Sequence, residues 1–380
     1  MNKFTKRSLS IIFLFTIFSV YFSGSIDYQN PQYSKADLNK YIDMADVSPG
    51  LNQNVIKPFV YRIAAPWIAG LLPFSTSINF MLLNFLALIA LALSIYFFLI
   101  EFGIDERLSL IVTIIFQMNK YAYQFLAWNH FQLSDSLSLA FLFYSFILVK
   151  RKKYFGLLVI MLIGMLVKEY MLMIIPAGFV FIYIKDSDRK YLIYFASISL
   201  LSFLLFAIVR MLISSEGGES LFIQYTTQII YYSKPSLLVK RFIIPFTPFG
   251  LLPIIFYKEL YVFFKTHKHF LIYVLTVIIL SFFGEPERLM IPLSPVYYLF
   301  IAILIKKYIV PSSLNLFIDK SIILILILSF MSTFYHLWGL IILPNQTYSI
   351  VFAIILTLMT SMIFYLSRSN QSGLIDNDFT

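Results

Sequence analysis

Cysteine is absent from this sequence of 380 residues, and charge is scarce, with Asp, Glu, Lys and Arg together only 13% of it. Without cysteine there is no disulfide, no thiol nucleophile and no thiolate metal site. Charge at about half the roughly 25% of a soluble domain excludes an ordinary water-facing surface. Glycine is sparse too, 13 residues, and no Gly-rich run of the kind that cradles a phosphate occurs. No internal repeat and no soluble nucleotide-binding unit can be traced in the pattern.

What remains is apolar. Hydrophobic residues make up 60% of the chain, including 41 Phe and 26 Tyr. No soluble core of this length buries so many large rings, so lipid must be the solvent for much of the surface. The net charge of +10 fits loops of the positive-inside kind and needs no nucleic-acid partner. Charges cluster between the apolar runs. Some clusters are basic, as at Lys150-Arg151-Lys152-Lys153 and from Lys185 to Lys190; others set carboxylates beside single cations, as from Asp37 to Asp46, at Asp135, at Lys168-Glu169 and from Glu285 to Arg288. Orientation requires the first kind. The second kind is where chemistry is to be sought.

Apolar spans are predicted near 9–24, 77–100, 108–127, 136–149, 154–167, 170–184, 191–213, 241–257, 270–283, 289–305, 321–343 and 347–366. The fold class is therefore an all-α polytopic membrane protein with about 12 transmembrane helices, a single domain over 1–368 and a disordered tail over 369–380. Placing the basic start (Lys3, Lys6, Arg7) in the cytoplasm and alternating sides puts Lys150–Lys153, Lys185–Lys190, Lys258–Lys268, Lys306–Lys320 and Arg368 there as well. Both termini are then cytoplasmic, and the membrane is predicted to be a bacterial inner membrane. A signal peptide ending near Ser23-Gly24-Ser25 is a second reading of the N-terminus, and it leaves later sidedness unchanged.

Residues 154–184 lie between two basic loops assigned to one side, so the chain crosses there twice or not at all. Two crossings leave about 15 residues each, roughly 23 Å of helix against a hydrocarbon core of ~30 Å. The Lys168-Glu169-Tyr170 tip would then be recessed, either as a self-neutralising pair or as the lining of an outward cavity. The main outer loop runs over 25–75, and a second over 214–240 carries Glu216 and Glu219. In the first, residues 36–45 read as a short amphipathic helix with Leu38, Tyr41, Ile42 and Ala45 on one stripe. Asp37 sits at its start, as an N-cap, a catalytic carboxylate or both. Arg62 follows between Pro58 and Pro66, placed to meet an anion or a loop carboxylate.

The loop pattern Asp37-x-x-x-Tyr41-x-x-x-Ala45 resembles the first outer loop of the GT-C superfamily of integral-membrane glycosyltransferases. Three further stretches are similar to that family in order. They are Leu133-Ser134-Asp135-Ser136 opening a later span, Leu166-Val167-Lys168-Glu169-Tyr170 with Pro176 at a helix break, and Gly284-Glu285-Pro286-Glu287-Arg288 with Pro292 in a late outer loop. The likeness covers residues 9–300 or so. Two departures stand out: Leu38 replaces a second carboxylate after Asp37, and Glu-Pro-Glu-Arg replaces a Lys-Glu pair before the Arg.

The resemblance implies inverting transfer of a sugar from a polyprenyl-phosphate donor to a glycan or lipid-linked acceptor on the outer face. Such chemistry needs a base for the acceptor hydroxyl and cations for the departing phosphate. Asp37 is the first candidate base and Asp43 the second. Arg288, Lys168 and Arg62 are the candidate phosphate ligands, with Asp135, Glu169, Glu285 and Glu287 in support. A divalent cation is possible but not required; Asp135 with His130 could hold one, or Asp135 could orient a cationic side chain. A lipid-linked glycan polymerase or ligase, or a lipid-glycan transporter, stands as an alternative.

Overall fold

The computed structural model describes residues 3–27, 38–185, 189–213, 226–227, 229–230, 234–283, 286–309, 319–341 and 346–369. Every regular element among them is helical. In chain order these begin with α1 (Lys3–Ser23), α2 (Leu38–Ala45), α3 (Ala64–Leu71), α4 (Thr76–Glu101) and α5 (Glu106–Gln117). They continue with α6 (Phe125–Trp128), α7 (Leu133–Lys150), α8 (Tyr154–Val167), α9 (Ile174–Lys185) and α10 (Arg189–Leu212). Later come Pro235–Phe242, Leu252–Ile255, Tyr257–Thr266, Lys268–Leu280, Pro286–Leu289, Ser294–Tyr308, Lys320–Ile341 and Gln346–Ser369.

Among the described residues six stretches are long and apolar enough to cross a membrane: Phe4–Ser23, Thr76–Glu101, His130–Lys150, Arg189–Leu212, Glu287–Tyr308 and Ile350–Arg368. A seventh is obtained if Tyr257–Thr266 and Lys268–Leu280, bent by 112° at His267, count as one. Their outer faces carry large apolar side chains in the open, among them Leu14, Leu86, Phe203, Leu204 and Leu358. Surfaces of that kind call for a lipid bilayer.

Several predicted spans are interrupted, and the sequence explains where. The expected 108–127 helix stops at Gln117. Asn119 then caps a π-helical turn over Lys120–Gln124 by accepting from the backbone N–H groups of Tyr121 and Ala122. The expected 241–257 helix is a chain of short turns. Pro245, Pro248 and Pro253 each lack a backbone donor, and between the helices Pro235–Phe242 and Tyr257–Thr266 only Ile244–Phe246 and Leu252–Ile255 are helical. By contrast α5 starts where Asp105 accepts from the N–H groups of Arg107 and Leu108.

Residues 154–185 form a broken hairpin of two short helices, α8 and α9. At its open end Lys152 lies 4.2 Å from the Tyr191 ring, and Tyr154 stacks on Tyr191 with centroids 5.8 Å apart. The two basic loops therefore sit side by side. Other charges gather at the same end of the bundle. Glu101 pairs with Arg151 at 2.6 Å, Phe102 packs against His269, and Thr5 donates to Glu106. Glu259 meets Lys307 and Arg368 at 3.8 and 3.7 Å. At the opposite end α8 stops at Val167, Lys168 takes an extended conformation, and a 3-10 turn over Glu169–Met173 leads into α9. The 14 residues of α8 span about 21 Å at 1.5 Å per residue. The tip is thus short of the reach of α4, whose 26 residues span about 39 Å.

Two cores hold the elements. The larger runs through α4, α5, α7, α8, α9 and Ser294–Tyr308. A smaller one docks the first outer loop: Leu38, Tyr41, Val60, Ala65 and Ala69 pack with Phe80, Phe131 and Leu133. The predicted stripe on α2 is nearly right. Leu38, Tyr41 and Ala45 are buried, while Met44 rather than Ile42 completes the face. Gly70 lets α3 lie against the end of α2, since a Cβ there would strike the Ala45 carbonyl oxygen and come within 2.5 Å of the Ser48 Cβ. The predicted tail lies outside the described residues from 370 on, as do Glu216 and Glu219 of the second outer loop.

Candidate functional site

The small core sets side chains from four separated parts of the chain against one another. Arg62 follows a 3-10 turn at Phe59–Tyr61. Its guanidinium grips Glu169 with two donors, Nε at 3.2 Å to Oε2 and Nη2 to Oε1. A third donor, Nη1, reaches the Tyr41 hydroxyl of α2 at 3.2 Å. The fork geometry fits Arg and would not fit Lys. Next in the chain, Lys168 turns the other way. Its Nζ donates to Asp135 Oδ1 at 2.5 Å and lies 4.1 Å from the Tyr170 ring.

Asp135 occupies the first turn of α7. Its second oxygen faces Arg288 Nη2 at 3.7 Å, and the same Nη2 donates to Gln132 Oε1 at 2.9 Å. Lys168, Asp135 and Arg62 are 2%, 5% and 7% exposed, so these charges are withdrawn from water and depend on one another. The five groups comprise three cations, Arg62, Lys168 and Arg288, and two carboxylates, Asp135 and Glu169. Asp135 Oδ2 and the Tyr170 hydroxyl are buried and make no hydrogen bond among the described residues.

Arg62, Asp135, Lys168, Glu169 and Arg288 are thus brought together from across the sequence. Glu287 is on the same short helix as Arg288 and acts electrostatically on Lys120. Asp37 and Glu285 lie outside the described residues. Asp43 is placed elsewhere. It is exposed on α2, its backbone carbonyl accepts from Asn52 at 3.1 Å, and partial desolvation with Asp46 nearby raises its carboxyl above the usual range.

The pairing of His130 with Asp135 around a cation is corrected by the geometry. His130 Nε2 is 3.2 Å from Ser77 Oγ and its ring lies against Phe131, whereas both Asp135 oxygens face cationic side chains. The second possibility, that Asp135 orients a cationic side chain, describes what Lys168 and Arg288 do. Among the described residues no group of three His, Asp or Glu could hold a metal ion.

Four neighbours were not among the site residues expected from the sequence. Tyr41 stands on the apolar stripe and in the loop pattern with Asp37, and its hydroxyl accepts from Arg62. Gln132 stands three residues before Asp135 and holds Arg288. Lys120 sits on the π-helical turn, an irregularity often found at functional places. Arg210, at the end of α10, lies 4.4 Å from the Tyr61 ring and 4.1 Å from Phe206. The position of Arg210 at the far end of an apolar run, away from the basic loops, was the available signal. Compared with family models and with curated proteins, the chain matches none.

Proposed function

We propose that this protein is a membrane glycosyltransferase of the GT-C type that moves a sugar from a polyprenyl-phosphate donor to a glycan or lipid-linked acceptor. The supporting observation is the cluster of Arg62, Asp135, Lys168, Glu169 and Arg288, which brings three cationic side chains together around two carboxylates. Arg and Lys donors gathered in one place suit an anionic ligand such as a phosphate. A leaving phosphate gathers charge as the glycosidic bond breaks, and fixed donors in a dry site stabilise that charge without reorganising. Arg288, held by Gln132, and Lys168, held by Asp135, are the donors assigned to it. Arg62 fixes Glu169 and Tyr41, and so ties the outer loop to the hairpin tip.

Asp37 is the assigned general base, inverting the anomeric carbon by taking the acceptor proton. It stands four residues before Tyr41, whose hydroxyl is part of the cluster. About twelve membrane passages, both termini in the cytoplasm of a bacterial cell and the cluster facing the periplasm complete the proposal. The gathering of basic loops at the end opposite the cluster favours that orientation.

Asp37→Asn tests the assignment. Asn caps a helix nearly as well as Asp but cannot take a proton, so transfer should fall by about 10²–10⁴-fold while the protein still accumulates in the membrane. Full transfer in that variant would return Asp37 to a structural role.

A further inference from the structure

Two histidines meet at the bend between helices Tyr257–Thr266 and Lys268–Leu280, at the end of the bundle where the basic loops gather. The helices cross there at 112°. His267 serves both through its backbone: its N–H donates to the Phe263 carbonyl at 2.8 Å, and its own carbonyl accepts from Phe270 at 2.9 Å. Its half-buried ring lies against Phe263 and Phe270, with centroids 5.0 and 5.8 Å apart. His269 is deeper, 5% exposed. Its ring is caged by Phe270, Phe181 and Phe102 at 4.2, 4.8 and 6.4 Å, and stands edge-on to His267 at 5.9 Å. His269 Nε2 is buried and has no hydrogen-bond partner among the described residues.

The charges around this pair are mostly of one sign. Lys150, at the end of α7, and Lys185, at the end of α9, act electrostatically on both rings. The Lys150 ammonium lies 4.6 Å from the Phe102 ring that packs on His269. Lys265 and Lys268 flank the histidines in the chain, both exposed. The carboxylates on the elements packed here are engaged elsewhere. Glu101 of α4 pairs with Arg151, and Glu259 of the first bent helix is held by Tyr308, Lys307 and Arg368. Neutral imidazoles suit such a cage. A proton on either ring adds a cation among cations, and no carboxylate waits for it; attraction to the ring faces offsets only part of that cost. The opened joint, with its rings in water, binds protons more readily than the closed one, so the closed joint loses stability as pH falls below the ordinary imidazole value of about 6.5.

We propose that the His267–His269 pair makes this bend a pH-sensitive joint, closed while both imidazoles are neutral and loosened when that end of the bundle turns acidic. The joint does not depend on sugar transfer. Helix Lys268–Leu280 runs from it toward the short helix that carries Arg288, so the bend and the late arm of the buried cluster lie on neighbouring parts of one chain segment. Hydrogen exchange read by mass spectrometry on the full-length protein in phosphatidylcholine nanodiscs provides the test, at about pH 7.5 and about pH 5.5, on either side of the ordinary imidazole value. Rates are corrected for the intrinsic effect of pH. Protection over residues 260–272 should fall by about tenfold for each imidazole that the closed joint keeps neutral, while that of α4 and α7 beyond the bend holds. His267→Gln and His269→Phe should each remove about tenfold of the fall, and the double variant all of it.

Protection at the bend that does not change with pH in the natural protein would overturn the joint, and so would an equal fall in the double variant. A fall of the same size throughout the bundle would mark a general acid effect and overturns it too. A fall abolished by one substitution and untouched by the other would leave a single sensor and refute the pair. Should His269→Phe fail to fold, His267→Gln decides, since an unchanged fall there sinks the proposal. Transfer assays are separate: a pH-sensitive bend in a protein that transfers no sugar counts only against the enzyme reading, and Asp37-dependent transfer with a pH-insensitive bend counts only against the joint.

Discussion

Asp135 and Lys168 form a pair whose two halves are not equally replaceable. Lys168 has one ion-pair partner at 2.5 Å, whereas Asp135 has Lys168 and, at 3.7 Å, Arg288. Lys168→Met leaves Asp135 facing one cation. Asp135→Ala leaves Lys168, 2% exposed, without the carboxylate to which it donates. Stranding a buried charge costs about 3–5 kcal/mol, so Asp135→Ala should fall at the upper end of that range and Lys168→Met at or below the lower end. The double variant removes both charges, and should be less unstable than the sum of the singles by roughly 1–3 kcal/mol. Thermal unfolding in mild detergent, followed by intrinsic fluorescence, reads these as midpoint losses of roughly 5–10 °C for the worse single. Strict additivity, or Lys168→Met more damaging than Asp135→Ala, would refute the pairing as described. A ligand phosphate should narrow the gap, because it supplies the anion that the Ala variant lacks.

Further outcomes follow from the same geometry. Reporters joined after Lys153 and after Lys190 should report the same side, since those loops touch through Lys152, Tyr154 and Tyr191; one inserted near Ser48 should report the other, and a split between the first two would dissolve the hairpin. Gly70→Ala should loosen the first outer loop, because the added methyl meets the Ala45 carbonyl rather than a yielding side chain; faster proteolysis between α2 and α3 would show it, and an unchanged cleavage rate would count against the close packing. Arg62→Lys keeps the charge but cannot hold Glu169 and Tyr41 together; a loss of transfer of about tenfold or more with normal protein level is expected, and full activity would remove Arg62 from the site.

Membrane residence and helical class were legible in the composition alone, because burying so many Phe and Tyr leaves lipid as the only solvent that fits. Periodicity found α2 to within a residue of its face, and charge counting placed the basic loops at one end, since these properties are local or additive along the chain. Span continuity was less legible. The break after Gln117 has a local cap in Asn119, but Asn119 also donates to the Pro245 carbonyl of a distant segment at 2.9 Å, a contact no local pattern encodes. The site divides in the same way. Isolated charges at Arg62, Asp135, Lys168, Glu169 and Arg288 were conspicuous because an ion inside an apolar run is costly. Their pairing was not: Arg62 chooses Glu169, and Lys168 chooses Asp135, because the hairpin tip at Val167–Lys168 turns two consecutive residues in opposite directions. His130 and Asp135 looked like one donor set by spacing, and the fold sends them to different partners. Sequence determines which charges must be buried together; only the tertiary structure decides which of them touch, because that depends on where the backbone breaks its helices.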